Sequence, residues 1–264
     1  MPVAHKAKRW LAPAAKVLAP RLFWRRKYGI LKRLGESRAD IGLVASLCDP
    51  NRVSVDIGAD VGEFSIAMLA VSKSVVAFEP RPAQARELAA MFEAVGAPVR
   101  VEAVALSDEP GVTAMRVVAG APGRSTIDSH NALSDADDGS VQTIDVQVRP
   151  LDELHLDDVG LVKIDVEGHE LAVLRGAADT LRRNRPAIVV EAEERHHPRA
   201  VAAITDFLAP LGYAGYFDIG DDRRPVAEFD PAEHQNPANI GGPADDWAVY
   251  GVYVNNFVFL PDRA

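Results

Sequence analysis

Four titratable residues lie within six positions of one short stretch, which reads Leu-Val-Lys-Ile-Asp-Val-Glu-Gly-His-Glu from Leu161 to Glu170. The stretch begins with the apolar pattern of a buried strand and continues as a helix. Carboxylates that are clustered or buried have raised pKa values, and the pKa of imidazole lies near neutral pH. Both groups can therefore take a proton from a substrate. Asp165, Glu167 and His169 are predicted catalytic residues on this basis.

A fourth catalytic candidate, Glu191, follows the apolar residues 187–190 of a later strand. A carboxylate at such a place is costly unless it is paired or binds a ligand. Other interpretations of the cluster stay open. Glu170 can simply stabilise the helix N-terminus through the macrodipole, and His169 can be an exposed residue of the first turn. The candidates also include ligand types that a divalent metal accepts, but their spacing does not establish a site, and no metal ligand is predicted.

Strands and helices alternate along the chain after residue 40. Strands joined by helices imply a parallel sheet with helices on both faces, so we expect an α/β fold. In such sheets, ligands bind at the carboxyl ends of the strands. The polar residues predicted at strand ends are Asp56, Glu79, Ser107, Asp165 and Glu191.

The sequence Val-Asp-Ile-Gly-Ala-Asp-Val-Gly, residues 55–62, has the features of a cofactor-binding turn after a strand. Gly58 and Gly62 let the backbone approach a ligand closely because glycine has no Cβ. Glu79 ends the next strand, 23 residues after Asp56. A carboxylate there can accept two hydrogen bonds from a ribose diol, as the acid does in dinucleotide sites.

The charges of this turn favour one class of nucleotide. A dinucleotide site carries Gly-x-Gly-x-x-Gly and places a pyrophosphate on a helix N-terminus. Position 60 is Asp instead, and Asp56 and Asp60 would repel a pyrophosphate. They suit a cofactor that has an amino group and a sulfonium but no phosphate. S-adenosylmethionine is therefore the predicted cofactor, in preference to NAD or ATP.

Four stretches, which begin at Val55, Ala77, Val101 and Leu161, resemble the FkbM family of S-adenosylmethionine-dependent methyltransferases in order and spacing. The most specific is Asp-Val-Glu-Gly at 165–168. The resemblance implies the Rossmann-like class I methyltransferase sheet, mostly parallel and seven-stranded, with helices on both faces. Its antiparallel last strand would come from the sequence Asn-Asn-Phe-Val-Phe-Leu-Pro near the C-terminus. The resemblance also implies O-methylation of hydroxyls on sugars, polyketides or other secondary metabolites.

The resemblance also implies roles for single residues. Asp56, Gly58 and Gly62 would line the methionine half of the cofactor, Glu79 would hold the ribose, and Ser107 and Asp108 would lie by the adenine. Asp60 departs from the family, which usually has Asn there; Asp keeps the acceptor and loses the amide donor. The full implied cofactor set is Asp56, Gly58, Ala59, Asp60, Gly62, Glu79, Pro80, Ser107 and Asp108.

Positive charge is concentrated at the N-terminus of this chain of net charge −9. Residues 1–38 contain eleven Lys/Arg and one acid, a net +10, which leaves −19 for the remainder. We predict a basic amphipathic helical extension at 1–40 and a methyltransferase domain at 41–264. The extension either contacts an anionic surface such as a membrane or packs on the core with a solvated basic face. The apolar residues among its charges are Trp10, Leu11, Leu18, Leu22, Phe23 and Trp24.

The location of the protein is predicted from features that the sequence lacks. A single cysteine, Cys48, cannot form an internal disulfide, and no apolar run reaches the roughly 18 residues of a membrane-spanning helix. We therefore expect a cytoplasmic protein. A peripheral contact with the inner face of the membrane, made by the N-terminal extension, is the alternative.

These residues and the resemblance together predict an enzyme that O-methylates a hydroxyl of a sugar, glycan or secondary-metabolite acceptor, as in polysaccharide biosynthesis. Polar loops at 120–140 and 230–247 are predicted to cover the acceptor. A non-catalytic nucleoside-binding module and an NAD-dependent oxidoreductase with a degenerate dinucleotide site are the alternatives. A nucleic acid is not the expected substrate, because the turn after Asp165 lacks the proline and aromatic residues typical of enzymes that methylate bases. The oligomeric state is not predicted.

Overall fold

The computed structural model of the chain describes residues 16–118, 123, 125–129, 131, 141–241 and 249–262. The strands are β1 Val53–Ile57, β2 Ser74–Phe78, β3 Val99–Glu102, β4 Ala105–Leu106, β5 Gly111–Val118, β6 Val141–Arg149, β7 Val159–Ile164, β8 Ala187–Glu191, β9 Tyr213–Ile219, β10 Asp222–Pro225 and β11 Asn256–Pro261. The α-helices are α1 Pro20–Gly35, α2 Ala39–Ser46, α3 Glu63–Leu69, α4 Pro82–Val95, α5 Glu170–Arg175, α6 Ala178–Asn184, α7 Ala200–Leu208 and α8 Pro231–His234.

The main sheet has the strand order β10-β9-β11-β8-β7-β1-β2-β3. Strands β3, β2, β1, β7 and β8 are parallel, which confirms the predicted α/β sheet. As predicted, β11 is antiparallel, and it lies between β8 and β9. The order reverses between β1 and β7, and the carboxyl ends of the strands on either side of such a reversal form a crevice.

The sheet has eight strands rather than the predicted seven. The additional strand is β10, which forms a hairpin with β9 at the edge of the sheet. Gly220 makes this tight turn possible, because its φ of +59° lies in the left-handed region that favours glycine.

A second sheet, of order β4-β6-β5, lies outside the main one. The apolar pattern predicts a single strand from Val99 to Leu106, but the structure has two strands there, β3 and β4, in different sheets. Residues up to Glu102 pair with β2, whereas Ala105 and Leu106 pair with β6. The expected strands β5 and β6 form an antiparallel pair. Most of the loop between them, predicted at 120–140, and part of the predicted loop at 230–247 lie outside the described residues.

Strand β7 is buried at all six positions. A parallel strand that is covered on both faces is normally apolar throughout, and Leu161, Val162 and Ile164 follow this rule with 0% exposure. Lys163 is the exception, with 1% exposure. A buried ammonium is stable only where charged partners surround it, so β7 requires carboxylates at its carboxyl end.

Helix α1 packs one face on the domain. Trp24 is 5% exposed and lies in a core cluster with Leu88, Met91 and Phe92, which all belong to α4. Phe23, which is half-buried, packs against the same cluster. Trp10 and Leu11 lie outside the described residues. No helix in the described part of the chain is both long and apolar enough to cross a bilayer.

Replacement of Trp24 tests whether α1 is part of the folded domain. Trp24→Ala is expected to lower the free energy of unfolding by about 3–5 kcal/mol, because it leaves a cavity between α1 and α4. Leu22→Ala, at a side chain on the outer face of the same helix that is 70% exposed, should change it by less than about 0.5 kcal/mol. Urea denaturation of both variants measures the difference. Equal midpoints would mean that α1 does not pack as described.

Candidate active site

An open cleft of about 930 Å³ lies at the carboxyl ends of β1, β2 and β7. This is the edge of the sheet at which the sequence predicts ligand binding. Arg81 and Lys163, which sequence reasoning did not select, also line the cleft. The predicted residues that line it are Gly58, Ala59, Asp60, Glu79, Pro80 and Asp165.

Two glycines set the shape of the turn after β1. Gly58 has a φ of +82°, and a Cβ at this position would lie 1.8 Å from the carbonyl oxygen of Asp165. Gly62 has a φ of +91°, and its Cβ would lie 2.5 Å from Cδ1 of Leu88. A larger residue at position 58 would therefore push the end of β1 away from the backbone of Asp165, and one at position 62 would displace the Leu88 side chain. The predicted close backbone approach exists, but at Gly58 the group that approaches is the chain itself.

Asp56 lies beneath the cleft and does not line it. Its side chain is fully buried, and Oδ2 accepts a hydrogen bond of 2.5 Å from Ser65 Oγ. Oδ1 lies 3.9 Å from Nζ of Lys163 and has no hydrogen-bond partner among the described residues. Burial raises the pKa of Asp56, although Lys163 opposes this. The structure thus places Asp56 as a support for the turn and for Lys163.

Glu79 is 2% exposed, and its carboxylate is saturated with internal hydrogen bonds. Oε1 accepts from the backbone N–H of Arg81 at 2.9 Å and from Nε of Arg81 at 2.8 Å. Oε2 accepts from the backbone N–H of Asp60 and from Nη2 of Arg81, each at 3.0 Å. Because two carboxylate oxygens offer about four acceptor positions, a ribose diol can bind here only if Arg81 gives up part of its contact.

Arg81 also bonds to Asp60, whose Oδ1 lies 2.5 Å from Nη2. Asp60 has a φ of +43°, in the left-handed region where Asp and Asn are the favoured non-glycine residues. The Arg81 charge therefore offsets both Asp60 and Glu79. Burial alone would lower the pKa of Arg81, but these two carboxylates outweigh it and raise the pKa. The turn is less negative than its sequence indicates.

Ser107 and Asp108 lie outside the cleft, away from the place that the resemblance implies for them. Ser107 Oγ forms a hydrogen bond of 2.8 Å with Nε2 of His169. Its carbonyl oxygen lies against Gly176, where a Cβ would approach to 1.9 Å. From the same segment of chain, it is Leu106 that faces the cleft, together with Phe78.

Lys163 connects the carboxylates at the end of β7. Its Nζ lies 2.9 Å from Oδ2 of Asp165 and 4.2 Å from the ring centre of Phe64. Burial alone would lower the pKa of Lys163, but Asp165 and Asp56 outweigh it and raise the pKa. The Asp165 side chain is 25% exposed and faces the cleft. Asp165 is therefore the member of this group that a substrate can reach.

Glu191 lies beside this group but does not line the cleft. Its Oε1 accepts a hydrogen bond of 2.8 Å from Nδ2 of Asn255. Burial, together with the charges of Asp165 and Glu167, raises the pKa of Glu191 well above its ordinary value. Glu191 thus tends to hold a proton.

Glu167 and His196 form a buried ion pair on the far side of the turn. Oε2 of Glu167 lies 3.0 Å from Nε2 of His196, and Oε1 of Glu193 lies 3.6 Å from the same nitrogen. Burial alone would lower the pKa of His196, but these two carboxylates outweigh it and raise the pKa to about 9. The pKa of Glu193 falls to about 2, because His196 and Arg195 outweigh the opposing effect of burial. Glu167 is therefore engaged in a structural contact.

His169 faces Ser107 on one side, and its Nδ1 lies 3.8 Å from Oδ2 of Asp128 on the other. Burial lowers its pKa. It lines a second cavity of about 700 Å³, together with Arg175 and Arg199. Glu170 begins α5, as the macrodipole interpretation requires, and accepts a hydrogen bond from the backbone N–H of Gly168. Burial raises the pKa of Glu170 to about 7.

The four catalytic candidates thus lie close together along β7, β8 and the turn after β7, but only Asp165 lines the cleft. Among the described residues, no group of three or more His, Cys, Asp or Glu side chains has the arrangement of a metal site. Sequence reasoning missed Arg81, Lys163 and Glu193. The sequence signal for Lys163 was a charged residue inside an apolar strand. Arg81 and Glu193 have no such signal, and only their ion pairs in the structure identify them.

Comparison with known proteins gives one family match. The model of the family described as "Methyltransferase FkbM domain" matches residues 56–216. No curated protein matches the chain.

Two solved structures illustrate the similarity of the fold. The methyltransferase FkbM of Methylobacillus flagellatus KT is 16% identical, with a TM-score of 0.50 over 80% of this chain and 44% of its own. The M1A22 tRNA methyltransferase TrmK of B. subtilis is 11% identical, with a TM-score of 0.43 over 85% of this chain and 66% of its own. The chain thus spans less than half the length of the Methylobacillus protein, and the likeness extends to the class I methyltransferase fold.

The Glu167–His196 pair predicts a pH dependence of stability. The pKa of His196 in the folded chain, about 9, lies above the ordinary value of 6.5. Its stabilisation is therefore fully present below pH 6.5 and is lost as the pH rises through 9. Relative to His196→Gln, the free energy of unfolding of the native protein should fall by up to about 3 kcal/mol across this range.

Urea denaturation at several pH values measures this difference, and an NMR titration of the imidazole reports the pKa of His196 directly. His155→Asn, at an exposed histidine, is the matched control and should follow the native protein. If native protein and His196→Gln lose stability in parallel between pH 6.5 and 9, the ion pair does not contribute as described.

Proposed function

Because the chain belongs to the FkbM methyltransferase family, we propose that it transfers a methyl group from S-adenosylmethionine to a hydroxyl of a sugar, glycan or secondary-metabolite acceptor. The observation that carries the proposal is the position of Asp165. This carboxylate ends β7 beside the glycine turn of β1, and it lines the cleft. A carboxylate in this position can accept the proton that a hydroxyl loses when it is methylated.

The backbone of the glycine turn supports a cofactor without phosphate. The N–H groups of Gly58 and Ala59 donate to the carbonyl of Phe78 at 3.1 and 3.0 Å. Those of Asp60 and Gly62 donate to Glu79 and to the carbonyl of Ala59. A pyrophosphate site presents such N–H groups to its ligand, and here they are already used inside the fold. This favours S-adenosylmethionine over NAD, on grounds independent of the charge at position 60.

The rest of the cleft has side chains that fit this cofactor. The carboxylates of Asp60 and Asp165 would face its amino group and sulfonium. Glu79 would accept from the ribose hydroxyls once Arg81 has turned aside. Phe78 and Leu106 offer apolar surface for the adenine ring.

When bound, S-adenosylmethionine supplies a methyl group that its sulfonium has already activated. The remaining requirement is that the acceptor oxygen be positioned and its proton removed. Asp165 is proposed to orient the hydroxyl and to accept the proton, which can pass to solvent because the side chain is partly exposed. Lys163 holds the Asp165 carboxylate in place at 2.9 Å. Glu191 is not proposed as the base, because it does not line the cleft and its Oε1 accepts a hydrogen bond from Nδ2 of Asn255.

The role of Glu79 can be tested with a pair of ligands. Calorimetric titration should give micromolar binding of S-adenosylmethionine and no binding of NAD. Glu79→Ala should weaken the binding of S-adenosylhomocysteine by tenfold or more. The native protein should also prefer this ligand to its 3′-deoxyribose analogue, and Glu79→Ala should lose that preference, because the removed hydroxyl and the removed carboxylate are partners.

The matched control is Glu102→Ala, which removes a carboxylate at the end of the neighbouring strand β3, outside the cleft. It should bind both ligands as the native protein does. A Glu79→Ala protein that still discriminates between the two ligands would show that another residue binds the ribose. Binding of NAD in place of S-adenosylmethionine would favour the oxidoreductase alternative.

The proposed base is tested by turnover. Asp165→Asn should lower kcat by about 10²–10⁴-fold, because Asn cannot accept the proton. The measurement is S-adenosylhomocysteine release with a panel of hydroxylated sugars and glycans. Asp157→Asn, at an exposed carboxylate ahead of β7, is the control and should retain full activity. Cofactor binding by the native protein without turnover on any acceptor would favour the non-catalytic module.

A further inference from the structure

Helix α1 has an outer face that is both apolar and basic. Leu22 of α1 is 70% exposed, and Leu18, two residues before the helix begins, is 84% exposed. Val17 is 78% exposed beside them, and Leu34 is 57% exposed at the other end. Isolated exposed leucines are ordinary, but Val17, Leu18 and Leu22 lie within six positions of the chain, which indicates a surface that another structure covers.

The same face carries a row of cations and no acid. The sequence from Lys16 to Gly35 contains no Asp or Glu. On the inner side, Lys16 and Lys27 both pair with Glu87 of α4, at 2.5 and 3.5 Å. The exposed cations of α1, by contrast, form no ion pair with any described residue. They are Arg21, Arg25, Arg26, Lys32 and Arg33.

We propose that this outer face of α1 docks on an anionic lipid bilayer, with the helix parallel to the membrane surface. The cations match the negative charge of lipid head groups, and Leu18 and Leu22 would enter the boundary between head groups and acyl chains. Charge alone would equally suit a nucleic acid. The exposed leucines decide in favour of lipid, because they gain nothing from a phosphate backbone. The inference concerns α1 and does not depend on methyl transfer.

The experiment is sedimentation of the full chain with vesicles of phosphatidylcholine and phosphatidylserine. Arg21, Arg25 and Arg26, each changed to Gln, should lower the partition coefficient about 100-fold together, since each cation near such a surface contributes about fivefold. Leu18→Ser with Leu22→Ser should lower it at least tenfold at unchanged charge. Vesicles of phosphatidylcholine alone should bind weakly.

The control changes Lys73, Arg182 and Arg183 to Gln, which removes the same charge from exposed positions outside α1. It should sediment like the native protein. Equal sedimentation of the arginine variant and the native protein overturns the proposal. If the leucine variant binds vesicles normally while the arginine variant also loses affinity for single-stranded RNA, the face binds polyanions in general and the lipid assignment is wrong. Unchanged thermal unfolding of each variant excludes a folding defect as the cause.

Discussion

The buried ammonium of Lys163 is the constraint on which the site depends. A cation with 1% exposure is tolerated only with carboxylates around it, and these come from two neighbouring strands, Asp56 of β1 and Asp165 of β7. Their positions require the two strand ends to approach closely, and Gly58 permits this because a Cβ there would collide with the Asp165 carbonyl. The ion pairs of Lys163 thus hold the glycine turn and the end of β7 together at the base of the cleft. Removal of Lys163 would leave the fully buried Asp56 without its opposite charge.

The same principle organises the outer half of the cleft. Arg81 lies between Glu79 and Asp60 and offsets both carboxylates. If a ribose takes the place of the guanidinium on Glu79, the local charge becomes more negative as Arg81 departs. A cofactor that brings a sulfonium and an ammonium would restore the balance, whereas a pyrophosphate would add to the imbalance. The balance of charge among Arg81, Glu79 and Asp60 therefore bears on the kind of ligand that the cleft can bind.

Elements whose signals are local could be predicted from the sequence. Strand β7, the glycine turn and the antiparallel β11 follow from apolar patterns, glycine positions and the family resemblance, and the structure confirms them. Contacts between side chains distant in sequence could not be predicted. Ser107 has the position of a cofactor residue in the chain, yet it bonds to His169 because the chain leaves the main sheet at β4. In α1, by contrast, Trp24, Tyr28 and Leu31 have the i, i+4, i+7 spacing of one helix face and pack inward, whereas Leu22 lies off that face and is exposed.

The position of α1 on the domain determines which side of the protein carries the basic charge. The body beyond residue 38 carries −19 and would be repelled by an anionic surface, so among the described elements the basic helix is the one suited to face it. Because Trp24 fixes α1 on α4, the helix is not a tether of variable length. Arg38, three residues beyond the end of α1, lines the cleft and bonds to Glu63 at the start of α3. A protein held by α1 would therefore present its cleft to the surface at one fixed distance and orientation, an arrangement that suits an acceptor confined to that surface.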